Sequence, residues 1–257
     1  MKKRQNHSTE NLTEEEKKWI NRIKELRMPI KKNLVKGMVI IGKIRTQKRL
    51  SDRFKDKELA RGIYMTLIMG TEDIYKSVYG YVPEKFKERK NFSVKIRFDI
   101  RIALIFMLGW ILETALGKKE AKKFMNYIHD FWFEDLKKDS SIIKVSEFLL
   151  NPEEKTAFLE HISATANKEL QDCNTDTQTI ARLVSNKRML KYVLLWNNYF
   201  NKGLGPIVNI SIQLCKDIFN QDPTIGTNNL LIYDSMQAVG LSTCFRKTAE
   251  VIKSLMR

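Results

Sequence analysis

Apolar positions along the chain recur mostly at intervals of three and four, the period of a helix. Thr13 and Glu16 form a capping box, after which Trp19, Ile20, Ile23 and Leu26 share a face until Pro29 closes or interrupts the helix. Ser51 is the expected cap of a helix bearing Ala60, Ile63, Tyr64, Leu67 and Ile68, with Gly70 at its end. Thr71-Glu72-Asp73 then starts a short helix ending at Gly80. Gly117 ends an apolar segment, and Phe124, Ile128 and Phe131 mark the next helix.

Punctuation is sharper in the second half. Asn151-Pro152-Glu153-Glu154 places a cap, a first-turn proline and two acids before a face of Phe158, Leu159, Ile162, Ala166 and Leu170. Residues 173–177 read as a loop. Ile180, Leu183 and Val184 predict a short helix, and residues 189–200 a separate one. Gly205-Pro206 opens a helix carrying Ile207, Ile210, Leu214 and Ile218. Ser242 is the expected cap of a last helix with Phe245, Ala249, Ile252 and Met256. The expected fold is all-α, a single compact bundle of about eleven or twelve helices, with no internal repeat.

Two segments resist the helical period. Gly37–Gly42 is a short β-prone run between glycines, and residues 92–101 alternate apolar and polar, which suits a minor β element near 92–101. The rival for the second is one long helix reaching Leu116, buried on all sides in its last turns. The helix is favoured, because a lone strand cannot satisfy its backbone groups. Residues 1–12 read as a flexible tail and 13–257 as one helical domain. A soft division near residues 139–140 would separate a basic lobe from a near-neutral one.

Ile102–Leu112 is eleven residues without a charge. At 1.5 Å per residue it spans about 16 Å, half of a bilayer's hydrocarbon core, so a buried core helix is expected. Met1–Arg4 is basic but polar residues follow, so the opening does not read as a signal peptide. An intracellular, soluble location, cytoplasm or nucleus, is the expectation. Cys173, Cys215 and Cys244 are odd in number and widely spaced, which suggests neither a disulfide framework nor a zinc site.

Charge changes the picture most. The chain of 257 residues carries a net +16. Residues 17–57 hold fifteen Lys/Arg against three acids, and residues 85–101 hold seven against two. Outside these two segments the balance is −1. Like charges so concentrated raise the energy of the compact state unless a polyanion or counterions relieve them. Candidate nucleic-acid contacts in the first segment are Lys31, Lys32, Lys36, Lys43, Arg45, Lys48, Arg49 and Arg53. In the second they are Lys87, Arg89, Lys90, Lys95, Arg97 and Arg101. Arg45, Arg49 and Arg53 line one face if helical; Lys95, Arg97 and Arg101 share one face if 92–101 is a strand, and Arg97 and Arg101 are i,i+4 neighbours if it is a helix. Solvated helix faces are the bland alternative. Tyr64, Tyr75, Tyr79 and Tyr81 fall between the segments and read as core or rim residues rather than base-stacking platforms.

Catalytic signatures are scarce. Only His7, His129 and His161 occur, and no zincin, P-loop, nucleophile-elbow or dinucleotide motif is present. His129-Asp130 alone cannot hold a metal ion, and Glu134-Asp135 is at most half of a carboxylate site. The reading leans to a non-enzymatic protein, nucleoprotein-like, with no cofactor, no metal and no identified small-molecule substrate. Its expected partner is nucleic acid, RNA or single strands favoured, bound through the phosphate backbone. The runners-up are a peripheral, matrix-like protein on anionic lipid and an interaction or self-assembly module, with a homo-oligomer as a further expectation.

Overall fold

A computed structural model describes residues 14–45, 56–89, 91–138, 177–199, 205–221, 223 and 228–255. Among these residues there are eight helices and no strand. They are α1 (Glu14–Arg45), α2 (Lys57–Tyr79), α3 (Glu84–Lys87), α4 (Phe92–Leu116), α5 (Lys118–Lys138), α6 (177–199), α7 (205–219) and α8 (228–254). The terminal tail, the Ser51 cap, the Asn151 helix and the division near 139–140 lie outside the described residues.

α4 organises the bundle. It is the segment with the alternating pattern followed by the apolar run, and it touches every other described helix. Five helices surround it in a closed cycle: α2 meets α5, α5 meets α6, α6 meets α7, α7 meets α8, and α8 meets α2. α1 lies against α8 and reaches α4. Ile102–Leu108, Ile111 and Leu112 are buried, as a core helix requires, and no described helix is long and apolar enough to cross a membrane. The alternation at 92–101 is helical because a helix buried on several sides shows no single apolar face. Phe92, Ile96 and Ile100 stack at i,i+4 into the core, and so do Lys95 and Asp99.

Several expected breaks are continuous helix. α1 runs through Pro29, which is exposed, so the carbonyl deprived of its N–H partner lies on the solvent side of the helix. It also runs through the β-prone Gly37–Gly42 stretch, because Gly37 is where α1 crosses α8. A Cβ there would lie 2.7 Å from the Phe245 ring. α2 starts behind Asp56, whose Oδ1 accepts from the Glu58 N–H at 2.8 Å, and passes Gly70 without ending. Gly70 faces the Cys244 sulfur, and Gly240 of α8 faces Ile74 so closely that a Cβ would lie 2.8 Å from it. These glycines mark helix contacts, not helix ends. Ser242 is likewise inside α8, its hydroxyl donating to the Val239 carbonyl at 2.8 Å. α6 is one helix where two were expected, because a buried arginine, Arg188, occupies a core-facing position and interrupts the apolar pattern. Gly117, at φ 84°, does end α4.

Candidate nucleic-acid interface and a buried charge network

α1 has two faces. Ile30, Leu34, Ile41 and Ile44 pack inward, and Asn33 anchors one flank by donating to Thr243 Oγ1 at 3.0 Å while accepting from Arg246 Nε at 3.1 Å. On the outer face Lys24, Arg27, Lys31, Lys32, Lys36 and Lys43 are exposed, with Glu25 as the one acid in that stretch. Lys24, Arg27, Lys31, Lys32 and Lys36 make no ion pair with any described residue. Between the cations lies an apolar stripe: Met28, Val35 and Val39 are 69%, 53% and 52% exposed. Lys24 and Arg27 complete the basic face, although their spacing alone did not single them out. The Arg45 side chain, Lys48, Arg49, Arg53 and Lys90 lie outside the described residues.

The second basic segment is used differently. Lys87 pairs with Glu84 at 2.7 Å and covers the Tyr79 ring, and Arg89 lies over Phe86. Arg97 donates to Glu72 at 2.7 Å and stacks 3.5 Å from the Tyr75 ring centre. Arg101 lies over Trp132, half-buried. Its neighbour Tyr64 donates to Asp135 at 2.7 Å, and burial followed by that bond raises the phenol's pKa. Tyr64 is core and Tyr75, Tyr79 and Tyr81 are half-buried, so none stands out as a base platform.

Lys95 goes inward. At 6% exposure it donates to the Asp217 backbone carbonyl and lies 3.6 Å from Asp99. A surface contact is therefore closed to it. Asp99 also meets Arg188 of α6, and both are fully buried. Asp217 of α7 accepts from Gln213 Nε2 at 3.0 Å and lies 3.6 Å from Lys191. Burial lowers the Arg188 pKa and the Asp217 charge opposes that shift. Three cations and two carboxylates thus tie α4, α6 and α7 together, all buried except Lys191, which is half-buried at the edge. The signal that finds this network is the Lys95/Asp99 pair, four residues apart in a helix otherwise apolar at its core.

Among the described residues no three His, Cys, Asp or Glu side chains group as they would around a metal ion. His129 instead packs beside Phe133 in α5, and burial lowers its pKa. Comparison with known proteins finds no matching family model, no matching curated sequence and no matching solved structure.

Proposed function

We propose that the protein is a non-enzymatic nucleic-acid-binding protein that docks the outer face of α1 on a phosphate backbone, RNA or single strands favoured. The observation that carries this reading is the run of six exposed basic side chains between Lys24 and Lys43. They cover about 28 Å of helix at 1.5 Å per residue. The second basic segment contributes less, since Arg97 and Lys87 are held by Glu72 and Glu84 and Lys95 is buried. With no aromatic platform beside the lysines among the described residues, binding is electrostatic and indifferent to base sequence.

Titration of a labelled single-stranded oligonucleotide across salt concentrations tests this. Six neutralised phosphates on a single strand give a slope of about −4 in log K against log salt. Lys31→Glu, Lys32→Glu and Lys36→Glu together should flatten the slope by about 2 and weaken binding at low salt at least tenfold. Absence of binding at low salt, or binding indifferent to salt, defeats the proposal.

The exposed Met28–Val35–Val39 stripe favours a second reading, an anionic bilayer surface. Each Lys or Arg near such a surface contributes about 1 kcal/mol, and the stripe would add apolar insertion. Vesicle flotation separates the two. Changing Met28, Val35 and Val39 to serine should abolish lipid binding under the second reading and leave oligonucleotide affinity intact under the first.

A further inference from the structure

A cleft of about 560 Å³ opens between α4, α5 and α6, on residues that the basic surface does not use. Its floor is the Trp110 ring, backed by the buried Phe106 and Trp196, with the two indole rings 4.9 Å apart at 46°. Met125 and Met189 form opposite walls, and their unbranched thioethers adapt to the shape of a guest. Gly109 lies against Met125, a Cβ built there meeting Met125 Cε in ordinary contact at 3.5 Å. Polar groups are confined to the margins. Glu113 and Lys118 are exposed at the mouth, neither in an ion pair with a described residue, and their charges cancel. His129 lends one wall an imidazole that burial keeps neutral at physiological pH.

Size selects the occupant. A helix about 10 Å across fills roughly 420 Å³ per 5.4 Å turn, so this volume would hold little more than one turn of a docked helix. It is instead the size of a site that encloses a small organic molecule, mostly apolar with a few polar groups at fixed places. The wall chemistry excludes a highly charged ligand and favours a flat apolar body lying on the Trp110 indole.

We infer that the α4–α5–α6 cleft is a binding site for a small, flat, largely apolar molecule carrying one polar group, seated on Trp110 with that group at the Glu113–Lys118 mouth. The site is separate from α1 and stands whether or not nucleic acid binds there.

The probe is 1-anilinonaphthalene-8-sulfonate, whose aromatic body and single sulfonate match the walls and Lys118. Its fluorescence should rise with a single saturable site per chain, with matching quenching of tryptophan emission. Gly109→Leu places a bulky side chain beside Met125 in the cleft and should weaken binding at least tenfold. Val193→Asp places a carboxylate at the mouth, on a residue already 39% exposed, and should weaken binding without touching the core. Leu190→Ser with Leu194→Ser removes exposed apolar surface on the same helix and should leave affinity within twofold. Non-saturable binding, or affinity unchanged in Val193→Asp and in folded Gly109→Leu, overturns the inference. Loss of binding in the Leu190/Leu194 variant alone overturns it as well, because it assigns the dye to the outer surface.

Discussion

Asp99 and Arg188 differ in what their removal leaves behind. Among the described residues the network holds Lys95, Arg188 and the half-buried Lys191 against Asp99 and Asp217, an excess of one positive charge. Asp99→Leu raises that excess to two and takes from Arg188 the carboxylate it touches deep in the core. Arg188→Met brings the network to balance, with Lys95 still 3.6 Å from Asp99. Breaking a buried pair costs about 3–5 kcal/mol. We therefore expect about 4 kcal/mol for Asp99→Leu and about 2–3 kcal/mol for Arg188→Met. The double variant restores the original excess of one and replaces both charges by apolar groups, at a cost of about 1–2 kcal/mol. The cycle should thus show a coupling of about 4–6 kcal/mol, in a domain whose total stability is on the order of 5–15 kcal/mol. Urea unfolding, followed by circular dichroism and tryptophan emission, reads each value from the midpoint. Raising the salt to about 0.5 M should not shrink the coupling, since buried charges are poorly screened. Additive single costs, or Arg188→Met costing more than Asp99→Leu, would refute the charge-balance reasoning.

Two glycines of α1 should respond with opposite sign. Gly42 has no atom within 4 Å of a built Cβ, so Gly42→Ala should gain about 0.8–1.0 kcal/mol from helix propensity. At Gly37 the same gain is opposed by overpacking of about 1–3 kcal/mol against Phe245, so Gly37→Ala should destabilise, and melting temperatures check both. His129 titrates lower folded than unfolded, so its contribution is complete above about pH 6.5 and is lost as pH falls toward its folded value. Urea midpoints between pH 7 and 5 should fall less steeply in His129→Gln than in the parent. Burial pushes the Cys244 thiol up to about 11, with Asp73 adding to the rise and Lys247 opposing it. At pH 8 its alkylation in the folded protein should run about a hundredfold slower than that of a free thiol, as mass spectrometry would show.

Much of the bundle is legible in the sequence because apolar spacing reports burial directly. Ala60, Ile63, Tyr64 and Leu67 are buried as their spacing predicts, as are Phe124, Ile128 and Phe131, and Gly117 ends its helix. The misread positions share a cause. Gly70, Ser242 and the Gly37–Gly42 run look like punctuation when local propensity is the only guide. What overrides propensity is a neighbour far along the chain: Cys244 at Gly70, Phe245 at Gly37, Ile74 at Gly240. Arg188 misleads for a related reason, since a charge on a core face reads as a break until its partner Asp99 is known to wait there. The basic surface is half legible. Composition locates both charged segments, but it cannot tell the lysines open to solvent on α1 from Lys95, which turns inward, or from Arg97, held between Glu72 and Tyr75.

The pairing of α1 with α8 also sets a schedule for biosynthesis. Asn33 bonds to Thr243 across 210 residues of chain. At about 5–20 residues per second, a ribosome delivers that partner roughly 10–40 seconds after Asn33 itself. Throughout that interval α1 is complete while Ile30, Leu34, Ile41 and Ile44 have no α8 to cover them. Its lysines then keep a sticky nascent helix in water before the last helix arrives.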